Sequence, residues 1–276
     1  MIRTVSLDDA TTRRLEWHET MAHAIPSRVV RDLGDALVLH DPRDPDPFWN
    51  RMVSLRWPAS RDAFDRRLDE AVTMFALDAR QPHIWPSPAH SAPADLTARL
   101  VARGFRDVGG GHVMVLTEPA SCPPVGADEL PAGVTVAGIC RASDAKDGDV
   151  DDTAAVLAES FGALPDRAGE LAADLHRTLG DPRIALALIR VDGEAAAVAK
   201  ATSFDGFTYL SSIGTRVRFR GRGLAGLATR HAVAIAGGTA TNVVYLGVFS
   251  GNAPALRLYD RLGFASGGES PDLLLE

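Results

Sequence analysis

The sequence predicts an α/β protein of two successive domains, each with a mixed, mostly antiparallel sheet flanked by helices. The chain has 276 residues, 46% apolar and 24% charged, which suits two globular domains of ordinary size. Segment 118–132 contains four prolines and no apolar periodicity, which is typical of a linker. On either side of it, strand-like and helix-like patterns alternate. The predicted domains are therefore residues 1–117 and 133–276.

The second domain has the clearer pattern. Asp192-Gly193 and Asp205-Gly206 are signals for two-residue hairpins. They place three predicted strands in antiparallel succession, at 183–191, 194–204 and 207–217. The other strands predicted in this domain are 133–139, 242–248 and 270–276. The predicted helices are 151–164, 166–180, a segment from Gly221 to about Ala236, and 253–264.

The first domain repeats part of this order. Strands are expected at 35–41, 51–57 and 110–116, and helices at 60–79 and 94–105. In helix 60–79, the apolar residues that lie near one face are Phe64, Leu68, Ala71, Val72 and Phe75. Gly104-Phe105 and Gly263-Phe264 each end a helix and precede a glycine-rich turn and an apolar strand, which suggests an internal duplication.

Composition excludes several classes of protein. The net charge of −7 gives no overall bias toward nucleic acid, and no run of about 18 apolar residues is present to cross a membrane. Cys122 and Cys140 are too few for a disulfide scaffold and have no metal-site spacing. The first residues have no apolar signal-peptide core. We therefore expect a cytoplasmic protein, a monomer or homodimer, without metal, nucleic acid or membrane partner. His18 and His23 are expected to be surface or capping groups.

Residues Gly221–Gly226 satisfy G-x-G-x-x-G, the fingerprint of dinucleotide-binding proteins. That fingerprint needs a parallel βαβ unit and an acidic residue about 20 positions later to bind the ribose. Here the preceding strand follows two hairpins, and no Asp or Glu occurs between Gly206 and Tyr259. A dinucleotide site is therefore disfavoured. No G-K-[ST] follows either, so a P-loop is also disfavoured.

The same stretch suits a different phosphate-bearing ligand. Gly221 and Gly223 allow a tight turn and a close approach of backbone to ligand, and the helix that begins there offers unpaired N–H groups. Positive charge surrounds the turn in a window without acidic residues. The arginines in that window are Arg216, Arg218, Arg220, Arg222, Arg230 and Arg257.

Two motifs resemble the GNAT acetyltransferase superfamily. The stretch 218–223, RFRGRG, is similar to its Q/R-x-x-G-x-G/A signature, and 246–264, LGVFSGNAPALRLYDRLGF, is similar to its strand, Asn and L-Y-x-x-x-G-F pattern. The resemblance covers about half the chain well. It implies an acetyltransferase domain at 133–276 and a degenerate GNAT-like copy at 1–117.

The resemblance implies a cosubstrate, acetyl-CoA, and assigns residues to it. The backbone of Ile213, Gly214, Thr215 and Val217 would pair with the pantetheine arm, Asn252 would touch that arm, and Tyr259 would be the general acid for the leaving thiolate. The residues implied around the pyrophosphate are Arg218, Gly221, Arg222, Gly223, Leu224 and Ala225.

The general base and the acceptor stay open at this point. The predicted strand 207–217 has no acidic residue, and a base from Glu159, Asp192, Glu194, Asp205, the first domain or water is equally compatible with the sequence. The acceptor is expected to be a primary amine of a small molecule. The alternatives are a protein or peptide amine, and a non-catalytic acyl-CoA-binding regulatory module.

Overall fold

The structure, a computed structural model, describes residues 2–140, 142–162, 167–236 and 243–276. The chain divides into two compact units. The first comprises Met1–Met114, Gly247–Leu256 and Ala265–Glu276, and the second comprises Val115–Leu246 and Arg257–Phe264.

Seven α-helices lie within the described residues. They are α1 (Asp9–Ala24), α2 (Arg61–Leu77), α3 (Leu96–Ala102), α4 (Asp149–Phe161), α5 (Arg167–Thr178), α6 (Leu224–Ile235) and α7 (Ala253–Arg261). Six of them match predicted helices. The ends of two predicted helices, 163–164 and 166, lie outside the described residues.

Helix α1 was not predicted, because the face that it buries is largely polar. Asp8 caps the helix by accepting a hydrogen bond from the Thr11 amide. The buried residues are Thr12, Leu15, His18, Thr20, Ala22 and His23. The expectation that His18 and His23 are surface or capping groups is wrong, since they are 0% and 6% exposed. A polar buried face gives no apolar period to detect in the sequence.

Thirteen β-strands form two sheets in the described part of the chain. They are β1 (Val29–Asp32), β2 (Leu37–His40), β3 (Arg51–Val53), β4 (His83–Ile84), β5 (Phe105–Asp107), β6 (Gly111–Leu116), β7 (Val134–Ile139), β8 (Ile184–Val191), β9 (Glu194–Phe204), β10 (Phe207–Thr215), β11 (Val243–Phe249), β12 (Phe264–Ser270) and β13 (Leu273–Leu275). One sheet has the order β1-β2-β3-β4-β13-β5, and the other has the order β12-β6-β11-β10-β9-β8-β7.

Most strands match the predicted ones. The predicted hairpins are present, with Asp192 and Asp205 at φ of 49° and 48° and each followed by a glycine of positive φ. Residue 242 of the predicted strand 242–248 lies outside the described residues. Strand β12 was missed because its sequence, FASGGES, has little β propensity. Small residues are needed in this strand because other side chains pack closely against it. A Cβ on Gly267, for example, would lie 2.4 Å from Leu7 Cδ1.

The two sheets share one topology, which supports an internal duplication. In each, antiparallel strands lead to a parallel pair, β3 with β4 and β10 with β11. The next strand then comes from the other half of the sequence, β13 in one sheet and β6 in the other. The last strands of the two halves are thus exchanged. In each sheet, a serine with a positive φ lies two residues after the last residue that pairs in parallel. Ser54 (φ 56°) follows Met52, and Ser212 (φ 51°) follows Leu210.

Each sheet has its own apolar core. In the first, Phe64, Leu68, Ala71 and Phe75 of α2 are at most 2% exposed, which confirms the predicted face. In the second, Val150, Ala154 and Leu157 of α4 pack with residues of β8 and β9 that include Leu186, Leu188 and Val198. Helix α6 covers the opposite face, where His231 and Ile235 approach Gly138 of β7. The strands of the second sheet are therefore held between α4 and α6.

The two cysteines should differ in reactivity. Cys122 is 3% exposed, and burial raises the pKa of its thiol to about 11, whereas Cys140 is half-buried. Because the thiolate is the reactive form, we expect only Cys140 to react readily with Ellman's reagent in the native protein at mildly alkaline pH. Guanidinium should make both thiols reactive. Rapid titration of two thiols in native protein would contradict the assignment.

Candidate functional site

Strand β10 has an open edge at its C-terminal end. It pairs in parallel with β11 only over four residues, the last being Leu210 opposite Leu246. On its other side it continues antiparallel to β9 as far as Thr215, across a bulge between Ser211 and Gly214. Backbone N–H and C=O groups that point toward β11 beyond Leu210 therefore have no β11 partner within the described pairing. Such an edge can accept an extended ligand as an added strand.

The glycine-arginine turn presents a row of unpaired amides. Gly221 and Gly223 lie at φ of 78° and 77°, where side chains are strained, and α6 begins at the next residue without a side-chain cap. The N–H groups of residues 221–225 have no acceptor in the described part of the chain. With the positive end of the helix dipole behind them, these amides are a candidate site for an anion.

The third glycine of the G-x-G-x-x-G pattern has a packing role. A Cβ on Gly226 would lie 3.3 Å from Leu258 Cδ1, so this glycine lets α7 approach α6 closely. The end of β11 carries no acidic residue for a ribose, because no Asp or Glu occurs between Gly206 and Tyr259. The strand-to-helix turn is therefore suited to phosphate without the features of a dinucleotide site.

Much of the arginine charge is already paired within the protein. Arg230, expected beside the phosphate turn, instead binds the linker, with 2.8 Å bonds to Pro123 O and to Glu129 Oε2. Arg216 lies 3.0 Å from Glu194, and Arg218 also contacts Glu194. Arg222 is exposed and has no carboxylate partner among the described residues.

The candidate bases lie away from the fork between β10 and β11. Glu159 accepts the Val217 N–H at 2.9 Å and lies 3.4 Å from Arg216, and Glu194 pairs with the same arginine. Both are beyond Thr215, which is four residues, or about 13 Å, from Ser211. Asp205 is in the turn at the opposite end of β10. Among the described residues of β10, the fork has no carboxylate.

Tyr259 is buried on α7, and Asn252 directly precedes that helix. The Tyr259 side chain is 6% exposed and packs edge-on against Phe264, with 5.9 Å between ring centroids. Burial raises the pKa of its phenol well above the usual value, so the phenol keeps its proton at neutral pH. Asn252 Oδ1 accepts the Ala255 N–H at 3.2 Å, which is an N-cap contact.

The geometry agrees with a family comparison. Residues 152–264 match the family model described as Acetyltransferase (GNAT) family. This segment is a GNAT domain. A comparison with curated proteins finds no match for the chain.

Solved structures extend the likeness to the rest of the chain. A GCN5-related N-acetyltransferase from Kribbella flavida is similar with a TM-score of 0.70 and 23% identity over 95% of both chains. One from Sphaerobacter thermophilus has a TM-score of 0.63 and 20% identity over 93% of this chain and 84% of that chain. The tandem GNAT protein of the clavulanic acid pathway, solved without AcCoA, has a TM-score of 0.62 and 13% identity over 100% and 98%. The whole chain thus has a tandem GNAT fold.

In the first GNAT-like half, the chain itself occupies the equivalent edge. Strand β3 pairs with β4 at Met52 and Ile84 and then departs from it after Ser54. Beyond that point Ala92 bridges to Arg56 in parallel, and its carbonyl accepts the Trp57 N–H at 2.9 Å. No glycine occurs between Trp57 and α2. This half therefore lacks both the open edge and the glycine turn of the GNAT domain.

The described residues contain neither a metal-binding cluster nor a membrane-spanning helix. No cluster of three or more His, Cys, Asp or Glu there could hold a metal ion. None of the helices described combines the length and apolar character needed to cross a membrane.

Proposed function

We propose that this chain is an acetyl-CoA-dependent N-acetyltransferase that acetylates the primary amine of a small molecule at one site in its GNAT domain. The observation that carries the proposal is the continuity of two backbone features. The open edge of β10 ends at Thr215, and after a short 3-10 turn, Val217–Phe219, the chain reaches the five unpaired amides of residues 221–225. A ligand with an extended arm that ends in a pyrophosphate matches this order, the arm against the strand edge and the pyrophosphate against the amides.

Acetyl-CoA supplies the acetyl group as a thioester, and the chain supplies the binding groups. Its pantetheine arm would pair with the backbone of Ile213, Gly214 and Thr215. Val217, which the resemblance also implies, lies beyond the strand and donates its N–H to Glu159 instead. Its pyrophosphate would bind the amides of residues 221–225, with Arg222 adding charge. The Ser211 Oγ and Thr215 Oγ1 atoms are buried and have no hydrogen-bond partner in the described residues. Buried orphan hydroxyls beside an open edge fit a polar ligand there.

The reaction needs one proton removed from the amine and one given to sulfur. The amine nitrogen attacks the thioester carbon, the C–S bond breaks, and the thiolate of CoA leaves. The Tyr259 phenol is the proposed proton donor, since burial keeps it protonated. Because a thiol has the lower pKa, about 8.5, the transfer depends on position and hydrogen bonding rather than on acidity. We propose that water takes the amine proton, given the absence of a carboxylate on β10.

One observation favours a second function, a non-catalytic acyl-CoA-binding module. No Asp or Glu occurs between Gly206 and Tyr259, so strand β10 and the first signature, 218–223, lack an acid. Release of CoA from acetyl-CoA in the presence of small primary amines distinguishes the two functions. Transfer requires amine-dependent release, whereas a binding module takes up acetyl-CoA without turnover.

We predict one acetyl-CoA per chain. The edge in the first half is bonded to Ala92 and has no adjacent glycine turn. Isothermal titration calorimetry on the full chain should therefore give a stoichiometry of one. A value of two would show that the self-bonded edge opens for ligand.

We predict that Gly221→Asp weakens acetyl-CoA binding about tenfold or more relative to Gly221→Asn. Asn and Asp both tolerate the left-handed conformation, and a Cβ at this position meets no protein atom within 4 Å. The pair therefore differs in charge beside the pyrophosphate. Calorimetry gives the two dissociation constants, and melting temperatures check folding. Equal constants would mean that the turn does not bind phosphate.

We predict that Tyr259→Phe lowers kcat by about 10²–10⁴ and leaves acetyl-CoA affinity nearly unchanged. The substitution removes only the hydroxyl and keeps the ring contact with Phe264. Steady-state kinetics with any accepted amine measures kcat, and calorimetry with the same variant measures affinity. A wild-type kcat would leave Tyr259 with a packing role alone.

A further inference from the structure

Glu194 lies beside the segment that connects β10 with the glycine turn. It is the first residue of β9, directly after the hairpin that joins β8 to β9. Strand β10 stays paired with β9 as far as Thr215, and the next residue, Arg216, donates its N–H to Ala196 O at 2.9 Å. The chain therefore leaves the sheet along the start of β9, which places Glu194 next to residues 216–218.

The Glu194 carboxylate contacts two arginines of that segment. It lies 3.0 Å from Arg216 and also contacts Arg218. Arg216 has a second carboxylate partner, since Glu159 lies 3.4 Å from it. Among the described residues, Arg218 pairs with no other carboxylate. Loss of the Glu194 charge would therefore release Arg218, whereas Arg216 would stay paired.

Arg218 is accessible to a solute and lies near the glycine turn. Its side chain is 61% exposed, and that of Glu194 is 39% exposed. The guanidinium carbon of Arg218 lies 5.0 Å from the centroid of the Phe219 ring, and that of Arg222, in the turn itself, lies 5.6 Å from the same centroid. Because both guanidinium groups lie over one ring, a small side-chain movement takes Arg218 from Glu194 to a phosphate at the turn.

A carboxylate and a phosphate compete for such a guanidinium. Both accept hydrogen bonds from its planar set of N–H donors. Exposed pairs of arginine and carboxylate are weak, so a ligand with several negative charges displaces the carboxylate. The displacement still lowers the affinity for that ligand, and the displaced carboxylate repels a phosphate that lies near it.

We propose that Glu194 is a positioning residue for the cosubstrate, which holds Arg218 until the phosphates of acetyl-CoA displace it. This inference rests on the proposed acetyltransferase function. Its consequence is a lower affinity for every ligand that carries the CoA phosphates, including the product CoA. Glu194 therefore favours release of CoA after the acetyl group has been transferred.

Charge-neutral variants of Glu194 test the competition. Glu194→Gln should tighten acetyl-CoA binding about fivefold, because Arg218 no longer has to leave a partner. Glu194→Thr, which suits the start of a strand, should do the same, and Glu194→Asp, which keeps the charge, should stay nearer to wild type. Isothermal titration calorimetry on the full chain gives the dissociation constants, and melting temperatures check folding.

Asp181→Asn is the matched control. Asp181 pairs with Arg183 at 2.6 Å, so this variant also removes one negative charge and leaves one arginine without its carboxylate. Position 181 precedes the first residue of β8, whereas Glu194 pairs with the last residue of that strand, Val191. The two sites thus lie at opposite ends of β8, and acetyl-CoA affinity should not change in the control.

A double-mutant cycle connects the effect to Arg218. In an Arg218→Gln background, Glu194→Gln should change acetyl-CoA affinity by less than about twofold, since no guanidinium remains to be released. Glu194→Gln alone should also make affinity fall more steeply with rising salt, because its complex gains an ion pair without losing one. The product CoA should tighten by the same factor as acetyl-CoA, because the two ligands share their phosphates.

Three results would overturn the inference while leaving the acetyltransferase function intact. They are an unchanged or weaker affinity in both neutral variants, a full gain that persists in Arg218→Gln, and an equal gain in Asp181→Asn. A lower melting temperature without tighter binding would give Glu194 a structural role alone and would also overturn it. Failure of wild type to bind acetyl-CoA would overturn both this inference and the proposed function.

Discussion

The parting of β10 from β11 after four paired residues is the constraint on which the candidate site depends. Backbone groups in a sheet need partners, and β9 supplies them on only one side beyond Leu210. The bulge at Ser212 bends the strand at this point. The open edge then leads into the Gly221 turn, where the first amides of α6 also lack acceptors. The open edge and the glycine turn that follows it thus provide the extended part and the anion-binding part of the proposed cosubstrate site.

The same departure occurs in the first half of the chain, with a different outcome. There the strand also leaves its parallel partner after a serine of positive φ, but the Ala92 segment bonds to the edge at Trp57. A backbone edge satisfied by its own chain has nothing left to offer a ligand. The duplication therefore preserves the fold in both halves and the open cleft in one. In this half, Ala92 of the Pro-rich segment 82–93 thus takes the edge position that is open in the GNAT domain.

Electrostatics around the glycine turn depend more on backbone than on side chains. The window without acidic residues carries six arginines, yet Arg230 holds the linker through Glu129, and Arg216 and Arg218 contact Glu194. Paired guanidinium groups add less to an external anion than free ones. The five amides and the helix dipole remain, and they are fixed in position by the turn itself. A protein of net charge −7 can in this way present a local anion site.

The sequence alone determined the structural features that depend on residues close together in the chain. Asp-Gly pairs set both hairpins, the spacing of Phe64, Leu68 and Phe75 set the buried face of α2, and Gly221 and Gly223 marked the turn, because φ preferences and periodicity are local properties. The tertiary structure decided the exchange of β6 and β13, the polar burial of α1, the glycine-rich strand β12 and the partners of Arg230. Each of these depends on which distant residue lies opposite, and strand register and side-chain pairing across a sheet are set by the packed fold rather than by any local pattern.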